Sequence, residues 1–207
     1  MSRLIVTNVE TQNIKFDSDT TAFTIGSDGT TTGPGAGNLI LLATIDATPN
    51  ATTYEFSMDY DSYSSFLIAV DLFQGSSTST GENWDVKFKM DGTLDDGQST
   101  PYMTSNEIID NGTRRNINNV DNMELVTTNL PTKRWGGFIH CVNFSNNNGF
   151  PMMFHELGGT SDGANDFGGF HGHSGIDVHS KQVTAIRYAW TAGNITVVKQ
   201  KIYGIKQ

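Results

Sequence analysis

The chain has 207 residues with 13 basic against 22 acidic side chains, a formal net charge of -9; so few cations cannot neutralise a phosphate backbone, which excludes nonspecific nucleic-acid binding. Thr, Gly, Asn and Ser number 25, 22, 18 and 16, a turn and strand vocabulary that excludes a helical bundle, whose surfaces draw on Ala, Glu, Lys and Gln. Disordered chains lack the aromatic bulk supplied here by 12 Phe, 6 Tyr and 3 Trp, so the chain folds around a core.

Residues 1–48 read as an attachment arm. Leu4-Ile5-Val6 and Ile14-Lys15-Phe16 have the pattern of short strands, Asp17 to Ile25 follows, and Gly26 to Gly37 makes a linker through Gly33-Pro34-Gly35-Ala36-Gly37. The segment is too short to bury a core of its own. Its apolar residues Leu4, Val6, Val9, Ile14, Phe16, Phe23 and Ile25 are too many for a solvated tail, and Leu4, Val6, Ile14, Phe16, Phe23 and Ile25 are expected to dock on another surface. Leu39 to Ala43, as long as any apolar run in the chain, falls far below the roughly 20 residues that cross a bilayer, and Leu4 to Val6 is too brief for a conventional secretion signal. No membrane insertion is expected.

Residues 49–207 read as one β-domain. Tyr54-Glu55-Phe56-Ser57-Met58 alternates, and Phe66 to Phe73 is nearly continuous in apolar residues, predicting a central strand covered on both faces. Period two is cleanest in Trp84-Asp85-Val86-Lys87-Phe88-Lys89-Met90, a half-buried antiparallel strand. Val120 to Val126 could hold one helical turn. Gly137 to Phe144, Met152 to Leu157, Val183 to Trp190 and Ile195 to Tyr203 are further strands, separated by turn clusters at Gly75 to Gly81, Asp91-Gly92, Asp95-Asp96-Gly97, Asn146 to Gly149 and a loop from Gly158 to Gly175. The predicted fold is all-β: an antiparallel, jelly-roll-like β-sandwich with an extended N-terminal arm.

Several of these segments resemble virion structural proteins of tailed bacteriophages, tail-fibre tips and similar appendages in particular. Asp17-Ser18-Asp19-Thr20-Thr21-Ala22-Phe23-Thr24-Ile25 is similar to an attachment segment of phage appendage proteins, with Phe23 where Met is usual. Tyr54-Glu55-Phe56, the Tyr60-Asp61-Ser62-Tyr63 step, Phe66 to Phe73, Trp84 to Met90 with Asp91-Gly92, Ala185-Ile186-Arg187-Tyr188, Ala192-Gly193-Asn194-Ile195 and Lys201-Ile202-Tyr203-Gly204-Ile205-Lys206 resemble, in order, the β-sandwich tip domain of that group. Ile202 stands where Leu is usual, and Thr196-Val197-Val198 replaces Ala-Ser-Gly. The resemblance implies a virion component, a capsid decoration or a tail fibre or adaptor, assembled as a homotrimer and touching other virion proteins or the host surface.

Chemistry is sparse. His171-Gly172-His173 with His179, preceded by His155-Glu156 and Asp162, is the one candidate metal site; imidazoles at i and i+2 of a strand share a face, and a trimer axis would multiply one inward His into three ligands. Solvated histidines in a glycine-rich loop are the competing reading. Asp91 to Gly97 lacks calcium-loop spacing, and nothing places Asp59 and Asp61 as an acid and base across a cleft. Neither a nucleophile elbow, nor a phosphate-binding loop, nor a zinc-protease helix motif occurs, so no enzyme and no cofactor are expected. Cys141 in a strand-like context reads as a small buried side chain, and the sequons at Asn50, Asn111, Asn143 and Asn194 follow from composition. An alternative function is binding of a host-surface glycan on shallow aromatic surfaces, for which Tyr102, Trp135 and Phe170 lie near turns, although Trp135 enters a strand that favours burial.

Overall fold

The structure is a computed structural model that describes residues 13–15, 21–25, 31–32, 39–58, 60, 62–63, 65–76, 82–90, 93–94, 102–108, 113–120, 122–128, 132–144, 150–161, 167–176, 182–191 and 193–205. The chain divides into two compact units, Met1–Ile40 and Leu41–Gln207. In the first, strands β1 (Asn13–Lys15), β2 (Thr21–Ile25) and β3 (Thr31–Thr32) form a small antiparallel sheet in that order, with Ile14 opposite Phe23. Leu4, Val6 and Phe16 of the expected docking set lie outside the described residues, as do the side chains of Ile14, Phe23 and Ile25.

The remaining strands are β4 (Leu39–Ala47), β5 (Thr53–Ser57), β6 (Ser65–Gly75), β7 (Glu82–Met90), β8 (Thr93–Leu94), β9 (Tyr102–Ile108), β10 (Thr113–Val120), β11 (Met123–Thr128), β12 (Thr132–Val142), β13 (Met152–Ser161), β14 (Phe167–Ile176), β15 (Val183–Trp190) and β16 (Ile195–Ile205). They build two antiparallel sheets packed face to face, a β-sandwich. The larger has the order β10-β9-β14-β13-β12-β6-β16-β4, and the smaller β11-β7-β15-β5 with β8 turned back on β7. No helix occurs among the described residues.

Four expectations are corrected. The large sheet takes up the chain at Leu39, ahead of the boundary expected between residues 48 and 49, because the run from Leu39 continues as a strand through Ala47. Met123 to Val126 is strand rather than helical turn: Met123 pairs with Val86 and Val126 with Trp84, and cross-strand pairing outweighs local propensity. β6 is central but covered on one face only. Phe66, Ile68, Val70 and Phe73 are buried, whereas Leu67, Ala69 and Leu72 are half-buried and Asp71 is exposed. Lastly, residues 158–175 are mostly paired strand, with Gly158 opposite Gly169 and Gly159 opposite Gly168; backbone hydrogen bonds hold them where side-chain periodicity gives no signal.

The inward faces close on an aromatic core. Trp84 of β7 stacks on Phe73 of β6 with ring centroids 3.9 Å apart and planes inclined by 2°, and Tyr188 of β15 meets both rings edge-on at 5.0 and 5.8 Å. The Tyr188 hydroxyl donates to Gln200 Oε1 of β16 at 3.1 Å, which ties the two sheets together through a buried polar contact. Burial pushes the Tyr188 phenol well above its ordinary range, so it remains a neutral donor.

Glycines admit the largest rings. At Gly75 an added Cβ would stand 2.5 Å from the Trp190 indole, and at Gly204 it would stand 2.5 Å from Tyr63 Cδ1. The second contact brings the Tyr60-to-Tyr63 step and the Tyr203-Gly204-Ile205 ending together, with both tyrosines also packed beside Phe66. Gly204→Ala should therefore cost about 1–3 kcal/mol by overpacking. Denaturant titration reads this, and a loss under about 0.5 kcal/mol, ordinary for a surface change, would show that the ring swings aside freely.

Candidate functional site

The two outer faces of the sandwich differ in chemistry. On the smaller sheet, Arg187 Nη2 and Nε lie 2.8 and 3.1 Å from Glu55 Oε2, and Lys89 Nζ lies 3.2 Å from Oε1. The Arg187 hydrogen bond, with Lys89 in support, holds the Glu55 carboxyl below its usual range against a smaller opposing effect of burial. Because these side chains are about a third exposed, the cluster adds little stability. It is a solvated charged face on which two cations share one carboxylate.

The larger sheet presents aromatics instead. Along β12, β13 and β14, Ile139, Cys141, Met153, Leu157 and Ile176 point into the core, so the alternate positions face outward. Phe138 is 56% and Phe154 43% exposed, large values for side chains of interior strands. Register sets the outward residues in rows. His140 opposes Phe154, which opposes His173, and the rings follow one another at 6.4 and 6.3 Å between centroids. In the next row Phe138 opposes Glu156, which opposes His171, whose partner on β9 is Glu107. The third row, Gly136, Gly158 and Gly169, carries no side chains at all.

These rows shape an open depression of about 480 Å³ lined by Phe138, His140, Phe154, Glu156, His171 and His173, among others. A second depression of about 270 Å³ lies along the glycine row, between Asp71 and Arg134. The floor there is peptide backbone, and Trp135 lies under Gly159 on the core side. Asp71 carries Lys201 Nζ at 3.8 Å.

Beneath this face sits a buried polar group. His155, on the core side of β13, is 5% exposed, and among the described residues neither ring nitrogen has a hydrogen-bond partner of acceptable geometry. Burial first, then the charges of His173 and His171, bring its pKa down to about 4, while the nearby Leu125 backbone offsets part of the effect. Ser174 Oγ, buried on the same side of the adjoining strand, also lacks a partner among the described residues.

Of the expected metal ligands, His171 and His173 share the outer face of β14, and His179 lies outside the described residues. Among the described residues no group of three His, Cys, Asp or Glu is placed to hold a metal ion. Of the aromatics considered for a sugar, Trp135 is buried in the core, and the side chains of Tyr102 and Phe170 lie outside the described residues, as do Asp59 and Asp61 entirely. Cys141 is fully buried, and burial pushes its thiol far above the reactive range. Asn143 Nδ2 donates to the Phe150 carbonyl and Asn194 Nδ2 to Asn50 Oδ1, so three sequon asparagines are engaged in the fold. Phe138, His140 and Phe154 are the site residues that sequence reasoning missed. The available signal was the parity of His140, a polar residue two positions from Phe138.

No protein-family model, no curated protein and no solved structure matches the chain.

Proposed function

We propose that the chain is a structural component of a bacteriophage virion, held to the particle through its N-terminal segment and presenting the β-sandwich at the particle surface. The observation that carries this reading is the division into a compact unit of residues 1–40 and a much larger one of residues 41–207. Two features support it. Tyr63 and Gly204, drawn from separate motifs that resemble phage appendage proteins, meet in the fold. The strand order β4-β16-β6-β12 opposite β5-β15-β7-β11, with β4 to β7 alternating between the sheets, reads as a jelly roll, with β9-β10 and β13-β14 as insertions that widen one sheet. Jelly rolls serve both viral capsids and lectins, so the fold agrees with this function without specifying it.

The partners in this reading are other virion proteins and further copies of the chain, arranged as a homotrimer. Deleting residues 1–37, which leaves β4 whole, should preserve cooperative thermal unfolding and abolish incorporation into particles. Normal incorporation of the truncated chain would place the docking surface on the sandwich instead. Light scattering on the intact chain reads the assembly, and a mass of 22.6 kDa at all concentrations removes the trimer. A second reading, a host-surface glycan-binding module, is favoured by the exposed Phe138 and Phe154.

A further inference from the structure

From the outer face of β12, β13 and β14 we infer a binding site for a neutral oligosaccharide, with Phe138 and Phe154 as its stacking platforms and His140, Glu156, His171 and His173 as its hydrogen-bonding rim. This rests on the glycan-binding reading and goes beyond it by assigning the site and the charge class of the sugar.

The lining selects the ligand by its chemistry. A pyranose has apolar C–H faces and a rim of closely spaced hydroxyls, each both donor and acceptor. Here the exposed ring of Phe154 lies between two imidazoles at 6.4 and 6.3 Å, and Phe138 lies one row away beside Glu156. Imidazole offers one donor and one acceptor, and an ionised carboxylate offers acceptors only, which suits vicinal hydroxyls. The second depression follows the glycine row on the same outer face, next to the Phe138 row, so further sugars of a chain meet no side chain at Gly136, Gly158 or Gly169.

Other ligands fit less well. A phosphate or nucleic acid meets Glu156 and Asp71 on a protein of net charge -9. A lipid surface would bury Glu156, which neighbours both phenylalanines, at a large desolvation cost. A peptide strand needs an open sheet edge, and β12, β13 and β14 all have neighbours on both sides. The mixed, nearly balanced lining is complementary to an uncharged polyol.

The test is calorimetric titration of the intact chain with neutral hexasaccharides of glucose, galactose, mannose and N-acetylglucosamine, repeated on the double variant Phe138→Ala, Phe154→Ala. Both residues are exposed, so the thermal midpoint should hold. Saturable binding of at least one sugar, weakened about tenfold or more in the variant, is the expected result. Wild-type binding that the variant retains in full overturns the site and leaves the glycan-binding reading standing. No binding of any sugar overturns both. A change of oligomeric mass in the variant, with no sugar bound by the wild type, would assign the face to contact between copies. Should the variant unfold, sugar-induced shifts in the imidazole resonances of wild-type His140 and His173 decide instead, and their absence on saturation overturns the site.

Discussion

Replacing Trp84 by alanine is expected to remove about 3–5 kcal/mol of stability, the range for truncating a large aromatic in a packed core. Its indole is wholly buried, lies flat on Phe73 and receives the edge of Tyr188, so the change empties the point where β6, β7 and β15 converge. The two rings that remain cannot close the gap, because Phe73 and Tyr188 are fixed by their own strands and Tyr188 by its bond to Gln200. A domain is stable by only about 5–15 kcal/mol, so the variant should sit near its unfolding threshold. Denaturant titration with near-ultraviolet circular dichroism measures this. A loss below about 1 kcal/mol, the average for an arbitrary substitution, would mean that the stack does not hold the sheets together.

Acid should act chiefly through His155. Its pKa in the fold is about 4, below its ordinary value near 6.5. As pH falls through that window the unfolded chain takes up a proton that the folded chain refuses, so stability is fully present above pH 6.5, declines toward pH 4 and levels off once the folded imidazole is also charged. The displacement corresponds to a loss of about 3 kcal/mol. Carboxylates such as Glu55, whose pKa is lowered by Arg187, also titrate on the acid side, so the informative quantity is the difference from His155→Phe. That variant should lose the extra slope between pH 6.5 and 4 in thermal midpoints. Parallel pH profiles for the two proteins would show that His155 is solvated or compensated in the fold.

Sequence periodicity is legible where charge alternates with bulk. From Trp84 to Met90 every second residue is buried, because Asp85, Lys87 and Lys89 leave only one way for the strand to face. β9 and β10 escaped notice, since Thr, Ser, Asn and Arg from Tyr102 to Ile108 and Thr113 to Val120 spell loop chemistry, and only pairing with β14 and with each other makes them strands. The candidate site was hidden for a related reason. In Gly137 to Val142 and Met152 to Leu157 both parities carry apolar residues, so the outward turn of Phe138 and Phe154, rather than of Ile139 and Met153, is decided by what covers each face. His155 and His173 read alike in sequence, and only the sandwich separates them, one sealed inside and one in the open.

The position of β16 has a consequence for the order in which the molecule can be made. It lies between β6 and β4, strands that precede it by more than half the chain, and it hydrogen-bonds Val198 beside Phe73 and Ile202 beside Ile68. Until Ile205 has emerged from the ribosome, one flank of β6 is unfilled and β4 has no strand to lie against. The nascent chain must therefore keep two sticky edges apart for most of its synthesis, and its closure is a late, long-range event of the kind that makes β-rich proteins slow to fold and dependent on protection while they wait.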